Sequence, residues 1–280
     1  MRFVKGHGTE NDFVILPDFD DSLDLTPELI VALCDRRAGI GADGVLRVVR
    51  SKAVGDPALG AAEWFMDYRN ADGCAAEMCG NGVRVFARYL VDAGLAAPGE
   101  WDIATRAGLK RVTLGATGDV SVDMGPPEVL GTGSAVIAGR SYPGLRVSMG
   151  NPHLACLVTE PVAGLDLARE PEFDPLLFPD GVNVEVFRPL GDKHVAMRVH
   201  ERGSGETRSC GTGAVATAVA AAVAASGPLE RPVATPPVGE WTVDVPGGTV
   251  TVTFDGETSH LRGPAVLVAE GEIRGDWPRR

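Results

Sequence analysis

Two short elements carry the residue types for proton-transfer chemistry, Cys79-Gly80-Asn81-Gly82 and Cys210-Gly211-Thr212-Gly213. A helix is expected after each. In the first, Val83, Phe86, Ala87, Leu90 and Val91 fall at helical spacing and Gly94 is placed to end the run. In the second, residues 214–225 are almost all Ala and Val until Ser226-Gly227-Pro228. The first helix should be amphipathic, the second buried all round. A cysteine just ahead of a helix sits where unpaired N–H groups and the macrodipole favour negative charge, so both thiols should have a lowered pKa. One such thiolate is a nucleophile or a base. Two of them, on either side of a cleft, allow one to remove a proton while the opposite thiol delivers another, which is what inversion of a stereocentre requires. The flanking glycines let backbone N–H groups approach one substrate carboxylate and stabilise charge as a carbanion forms.

The elements that must position these thiols occur twice. Met66 and Met197 each precede a Cys-Gly-x-Gly by the same distance; Asp43-Gly44-Val45 and Asp180-Gly181-Val182 each lead into an apolar strand; Asn11 and Asn151 each precede an apolar run, Phe13 to Leu16 and Leu154 to Val158. Three pairs of landmarks and the cysteines keep one order, which points to a duplicated fold. Short strands fill much of the rest: Asp119 to Met124, Leu145 to Met149, Trp241 to Val245, Thr249 to Phe254 and Ala265 to Ala269, punctuated by Gly and Pro. An early helix from about Thr26 to Arg37 has Thr26 as N-cap, Pro27 at its first position and Glu28 in its first turn. The expected class is α+β, in two similar halves meeting at a cleft: 1–132 carrying Cys79 and 133–280 carrying Cys210. The boundary is placed near Gly131-Thr132-Gly133-Ser134, and the last strands are allowed to return to the first half.

All five asparagines, Asn11, Asn70, Asn81, Asn151 and Asn183, lie in or beside these landmarks. Asn offers donors and acceptors without net charge, and Glu201-Arg202 adds one residue of each sign, so a zwitterionic ligand is the natural inference. Taken singly, each Asn reads equally well as a turn residue. His153 follows Asn151-Pro152 and is placed as a neighbour of the thiols, whereas His7, His194 and His260 read as ordinary polar residues. Cys34 and Cys156, in apolar runs, read as inert buried residues, and Cys74 stays unassigned. A Cys79–Cys210 disulfide is the alternative reading of the pair, expected in oxidised, inactive material.

Several classes are excluded. Pyridoxal phosphate requires a Schiff-base lysine and a phosphate cup, and the four lysines, Lys5, Lys52, Lys110 and Lys193, lie in no phosphate-binding context. No cofactor is expected. No Cys-x-x-Cys or His-x-x-x-His pair suggests a metal. Gly39-Ile40-Gly41-Ala42-Asp43-Gly44 matches the dinucleotide fingerprint, but a helix precedes it and a strand follows, the reverse of what that site needs. A net charge of −12 without a Lys/Arg-rich block disfavours nucleic acid. The N-terminus turns polar too soon for a signal peptide, and the longest apolar run is shorter than the roughly 20 residues of a membrane span. Five cysteines without dense even spacing fit a reducing cytoplasm.

These motifs resemble the diaminopimelate epimerase family. The matching stretches are Lys5-Gly6-His7-Gly8 with Asn11-Asp12-Phe13, Asp35-Arg36-Arg37 with Gly41-Ala42-Asp43-Gly44, Asn70-Ala71-Asp72-Gly73 and Met78-Cys79-Gly80-Asn81-Gly82. They continue through Gly150-Asn151-Pro152-His153, Val182-Asn183-Val184, Glu201-Arg202-Gly203 with Gly205-Glu206-Thr207, and Cys210-Gly211-Thr212-Gly213. The resemblance implies two pseudo-symmetric halves, each a curved, mostly antiparallel sheet or barrel around a central helix, in a homodimer that interconverts LL- and meso-diaminopimelate. It casts Cys79 and Cys210 as acid/base thiols, and Gly80-Asn81 with Gly211-Thr212 as the carboxylate cradle. Asn11, Asn70, Asn151, Asn183 and Arg202 become holders of the polar ends, with Glu201 near the reacting ammonium, and His153 and Glu201 tune the thiols. Gly44 departs from members that carry Gln there. A proline or hydroxyproline racemase, which typically has His after the first Cys-Gly, and a non-catalytic amino-acid-binding protein are the alternatives. A phenazine-biosynthesis-like isomerase would lack the thiol pair.

Overall fold

The computed structural model describes residues 1–59, 61–227, 238–275 and 277. Chain contacts divide it into two units, Met1–Val122 with Gly263–Arg280, and Asp123–Arg262.

The first unit runs β1 (Arg2–Gly8), β2 (Asn11–Pro17), α1 (Pro27–Cys34), β3 (Gly44–Arg50), α2 (Ser51–Val54), β4 (Trp64–Asn70), α3 (Gly80–Asp92), β5 (Gly99–Thr105), β6 (Gly108–Leu114) and the start of β7 (Val120–Gly125). The β1–β2 hairpin is antiparallel, β2 runs parallel to β3, and β3 is antiparallel to β4. A β4–β5 parallel contact then leads into the antiparallel series β5–β6–β7. The second unit runs β8 (Glu128–Ile137), β9 (Arg140–Ser148), β10 (Pro152–Leu157), β11 (Glu172–Phe173), β12 (Asn183–Gly191), β13 (His194–Glu201), β14 (Gly205–Thr207), α4 (Gly211–Ser226), β15 (Gly239–Val245), β16 (Gly248–Phe254) and β17 (Ser259–Gly263). Its pairing repeats the first: antiparallel β9–β10, parallel β10–β12, antiparallel β12–β13, parallel β13–β15, then antiparallel β15–β16–β17. The duplication expected from the ordered landmarks is thus a repeated order of strand pairings. Both units are α+β, mostly antiparallel strands packed around one helix.

The helices occupy equivalent places. α3 packs on β1, β2, β3, β4, β6 and the final strand β18 (Val266–Glu272), and α4 packs on β9, β10, β12, β13, β15 and β16. For α4 the reason is compositional. With Ala and Val on every side the helix has no polar face, and Val215, Val219 and Val223 are at most 2% exposed. Each stabilises the unit by roughly 1.5 kcal/mol or more. Gly227 caps the helix, and Pro228 lies outside the described residues.

α3 has the expected amphipathic sequence, yet both its faces are covered: from Gly80 to Leu90 only Arg88 is partly exposed, and Arg84 is wholly buried. Two sequence expectations change. α1 starts as expected, with Thr26 Oγ1 accepting the Leu29 N–H, but stops at Cys34 and not at Arg37. Asp35 is extended there, and its carboxylate accepts the N–H groups of Arg37 and Ala38 in competition with the helix. The Gly131–Ser134 stretch, read as a link between halves, lies inside β8 and pairs with β9; the contact boundary falls at Val122/Asp123. Strands tolerate Gly and Thr where a partner strand satisfies their backbone groups. The final strand β18 pairs with β1 and groups with the first unit. Gly39–Gly44 follows α1 and runs into β3, the helix-then-strand order that disfavoured a dinucleotide site.

Candidate active site

In the first unit Cys79 is the N-cap of α3, with an extended backbone (φ −140°, ψ 119°), and its Sγ accepts the Gly82 N–H at 3.4 Å. Gly80 and Asn81 are the first two helical residues, positions whose N–H groups have no carbonyl partner within the helix. Asn11, at the start of β2, brings Oδ1 to 3.6 Å from Cys79 Sγ and accepts from Asn81 Nδ2 at 3.2 Å. The orientation of the Asn11 amide is set behind it, where Nδ2 donates to Asp43 at 2.8 Å. Asp43 is held by Arg36 at 2.6 Å and also accepts the Asp12 N–H. Burial raises the Asp43 pKa, the Asn11 hydrogen bond opposes this, and the Asp12 charge adds to it. Asp12 goes the other way: burial would raise it, but hydrogen bonds from Arg36 and Lys5 hold it at about 2. Asn70 ends β4 opposite Gly44, and its backbone closes the loop that contains Cys74. A Cβ at Gly44 would stand 2.6 Å from Arg69 O and 2.8 Å from Tyr68 Cε2, so a glutamine there needs a different strand path.

In the second unit the same geometry recurs around Cys210, the N-cap of α4 (φ −124°, ψ 120°), whose Sγ accepts the Gly213 N–H at 3.4 Å. Thr212 Oγ1 lies 3.5 Å from that sulfur and accepts from Asn151 Nδ2 at 3.4 Å. Asn151 Oδ1 is therefore turned to His153 Nε2, 3.1 Å away, and His153 Nδ1 meets Glu185 Oε1 at 2.7 Å. His153 and Glu185 have fully buried side chains. Asn183 donates to Pro152 O and accepts the Arg202 N–H, and the Arg202 guanidinium donates to Asp180 O at 3.0 Å. Thr207 donates to Glu201.

Cys79 and Cys210 share a backbone setting but not an electrostatic one. The lowered pKa expected for every helix-start thiol does not hold at Cys210. Burial pushes this thiol well above its ordinary value, the Glu201 and Glu185 carboxylates push it further, and the Thr212 and Gly213 contacts only partly offset them. Burial also raises Glu201, against hydrogen bonds from Thr207 and the Cys210 thiol. At neutral pH Cys210 is thus held as S–H. A helix start lowers a thiol pKa only while desolvation and like charge stay small, and here both are large. Glu201→Gln removes the largest of the two carboxylate effects. The pH midpoint for alkylation of Cys210, read by peptide mass spectrometry, should fall by about one unit or more, and a rise would contradict this assignment.

Cys34 and Cys156 are buried, as expected of inert thiols. Burial raises Cys34 to about 11 and Cys156 to about 12, Cys74 is exposed, and all five are free. Among the described residues no group of three or more His, Cys, Asp or Glu side chains is placed to hold a metal ion, and no helix is long and apolar enough to cross a membrane.

The family described as "Diaminopimelate epimerase" matches residues 3–130 and 145–273. A diaminopimelate epimerase of Thermobifida fusca is 56% identical over 98% of both chains. One of Mycolicibacterium smegmatis is 53% identical over 99% of this chain and 98% of its own. The chain belongs to the diaminopimelate epimerase family. Solved structures carry the same fold at low identity. A hydroxyproline epimerase of Agrobacterium vitis matches with TM-score 0.67 at 17% identity over 100% of this chain and 94% of its own. A Bacillus anthracis protein of the PhzF family matches with 0.66 at 17% over 98% and 99%.

As a diaminopimelate epimerase family member, the chain places its expected site residues in two clusters. Asn11 and Asn81 surround Cys79, with Asn70 at the end of the neighbouring strand β4. Thr212, Asn151, His153 and Glu201 form the surroundings of Cys210, with Asn183 and Arg202 bonded to each other beside them. Sequence reasoning missed Glu185, Asp43 and Thr207, which orient His153, Asn11 and Glu201. It also missed Arg84. A signal existed for two of these: Glu185 interrupts the apolar run Val184–Phe187, and Arg84 interrupts Val83–Ala87.

Proposed function

We propose that this chain interconverts LL- and meso-diaminopimelate without a cofactor, Cys79 and Cys210 exchanging the α-proton from opposite faces of one carbon. The observation that carries this reading is the pair of N-cap thiols, each receiving the N–H of the residue three positions on at 3.4 Å. The thiolate takes the α-proton, the opposite S–H supplies a new one, and the sulfurs end with their protonation exchanged. The electron pair left on carbon spreads into the substrate carboxylate, which Gly80, Asn81, Gly211 and Thr212 receive through helix-start N–H groups. Each donor aimed at such a developing oxyanion stabilises it by about 3 kcal/mol. Asn11, Asn70, Asn151, Asn183 and Arg202 hold the polar ends, Glu201 lies near the reacting ammonium, and His153 with Glu201 tunes the thiols. A cytoplasmic homodimer completes the proposal.

Relatives at 53% and 56% identity favour this substrate over proline or hydroxyproline, whose epimerase is 17% identical. The test is incubation of reduced protein with LL-diaminopimelate and, separately, L-proline, followed by separation of stereoisomers. Formation of the meso isomer alone is expected. Inversion of proline alone would overturn the substrate, and binding without inversion of either would leave an amino-acid-binding protein.

A further inference from the structure

Arg84 is the bulkiest fully buried side chain among the described residues, 0% exposed, in the second turn of the helix that Cys79 caps. Its described contacts are neutral: Nη2 donates to Thr9 Oγ1 at 3.2 Å, and Nε donates to Pro264 O at 3.4 Å. Nη1 is buried without a hydrogen-bond acceptor among the described residues, and none of the described ion pairs includes Arg84. A buried guanidinium left without an anion is among the more costly features a core can hold. No dissolved anion touches a side chain with no exposed surface, so its balancing charge must come from inside the unit.

Several charged groups near α3 pair with one another; β18 also carries Glu270 and Glu272, and β6 carries Lys110 and Arg111, of which Arg111 pairs with Glu100 and Asp102. Lys5 pairs with Asp12, Arg36 with Asp12 and Asp43, and Asp67 with Arg47, Arg69 and Arg106. On α3 itself Arg88 donates to the carbonyls of Gly115, Ala116 and Gly118, and on β1 His7 accepts the Glu10 N–H. Asp119, ahead of β7, is one group whose charge acts on Arg84. The larger of the two charge effects on Arg84 comes from Cys79, and burial lowers the Arg84 pKa to about 10, the mark of an under-compensated cation.

We infer that Arg84 is a positioning residue whose buried charge holds Cys79 as the thiolate, so that the resting protein presents a base at Cys79 and an acid at Cys210. This rests on the two-thiol reading above and adds to it a direction of protonation. Around Cys210 the buried groups carry the opposite sign, Glu185 and Glu201. The same chemistry therefore starts from two unlike halves. Asn11 Oδ1 opposes the effect at Cys79, since it accepts from S–H and repels S⁻, while the Gly82 N–H supports it; both are dipoles, and Arg84 contributes a full charge. Arg84 also steadies the turn that precedes Asn11, where Thr9 and Glu10 have φ of 49° and 61°, a conformation that a β-branched residue rarely adopts.

The experiment follows alkylation of each cysteine against pH in the reduced full-length protein, read peptide by peptide by mass spectrometry. In the unsubstituted protein the Cys79 midpoint should lie below pH 7; a midpoint at or above the ordinary value of about 8.5 overturns the inference whatever the variants do. Arg84→Gln should raise that midpoint by at least about one unit and leave the Cys210 midpoint in place, while Arg84→Lys, which keeps the charge, should stay within about half a unit. An Arg84→Gln protein with native circular dichroism and an unmoved Cys79 midpoint sinks it, as does Arg84→Lys shifting as far as Arg84→Gln. If Arg84→Gln does not fold, the unsubstituted midpoint and the lysine variant decide. Turnover is not the readout, so failure of the two-thiol reading, seen as full activity in Cys79→Ala, is distinguishable from failure of this one.

Discussion

Cys79→Ala should lower the rate of epimerisation by at least about 10³-fold while leaving the affinity for a non-reacting substrate analogue within about tenfold. Cys210→Ala should do the same, because a base without its opposite acid cannot complete inversion. The two losses should not add: the double variant is expected to be no slower than either single one, since each already removes the whole relay. The substitutions remove little packing. Cys79 is half-buried, and Cys210, 6% exposed, gives up one sulfur atom, so Tm should change little. Steady-state kinetics on reduced protein, with analogue binding by calorimetry, checks this. Turnover within tenfold of the unsubstituted protein in either single variant contradicts the two-thiol mechanism.

Gly213→Ala should be the most damaging glycine substitution in the second unit, at about 100-fold in kcat. Alanine is the better helix former by about 1 kcal/mol, so on propensity alone this change would stabilise α4. Space decides otherwise. The new Cβ would stand 2.6 Å from Glu185 Oε1, 3.2 Å from Cys210 Cβ and 3.3 Å from its Sγ. Glu185 is fully buried and bound to His153, so it cannot swing out to water, and the added carbon must displace the thiol, the carboxylate or both. The equivalent residue of the first unit is the control. At Gly82 the nearest atom is the end of the Leu46 side chain at 3.2 Å, with Cys79 Cβ at 3.4 Å, so Gly82→Ala should cost less than tenfold. Equal kinetics for the two variants would show that Gly213 is there for helix geometry and not for Glu185.

The readable part of this molecule was what repeats. Cys-Gly-x-Gly ahead of an apolar run predicts an N-capped helix from residue type alone, and both cysteines occupy that position with nearly the same dihedral angles. The landmarks at Asn11, Asp43 and Met66, echoed at Asn151, Asp180 and Met197, follow one strand order because the two units pair their strands alike. What stayed hidden lies in contacts between residues distant in sequence. Glu185 meets His153 because β10 and β12 run parallel, in a register that also sets His153 beside Asn183, and no local pattern encodes that register. Arg84 lies buried on the amphipathic helix α3 for a related reason. Helical spacing assigns it to a polar face, yet Thr9 and Pro264, on two other segments, complete a buried pocket around it. The general rule that helix starts acidify thiols also fell short at Cys210. It counts only the helix, whereas the local charge is set by Glu201 and Glu185 across the strands that pack against α4.

The most direct test of the central claim is epimerisation of LL-diaminopimelate by the reduced protein in D₂O, with the isotope at the α-carbon followed in both isomers during the first few per cent of reaction. Two thiols on opposite faces deliver a solvent-derived deuteron to the product, while the abstracted proton stays with the other sulfur. The account therefore predicts meso product carrying deuterium at the inverted carbon and remaining substrate that still carries protium. Deuterium entering the remaining substrate as fast as the product, or protium retained in the product, would mean that one group works on both faces.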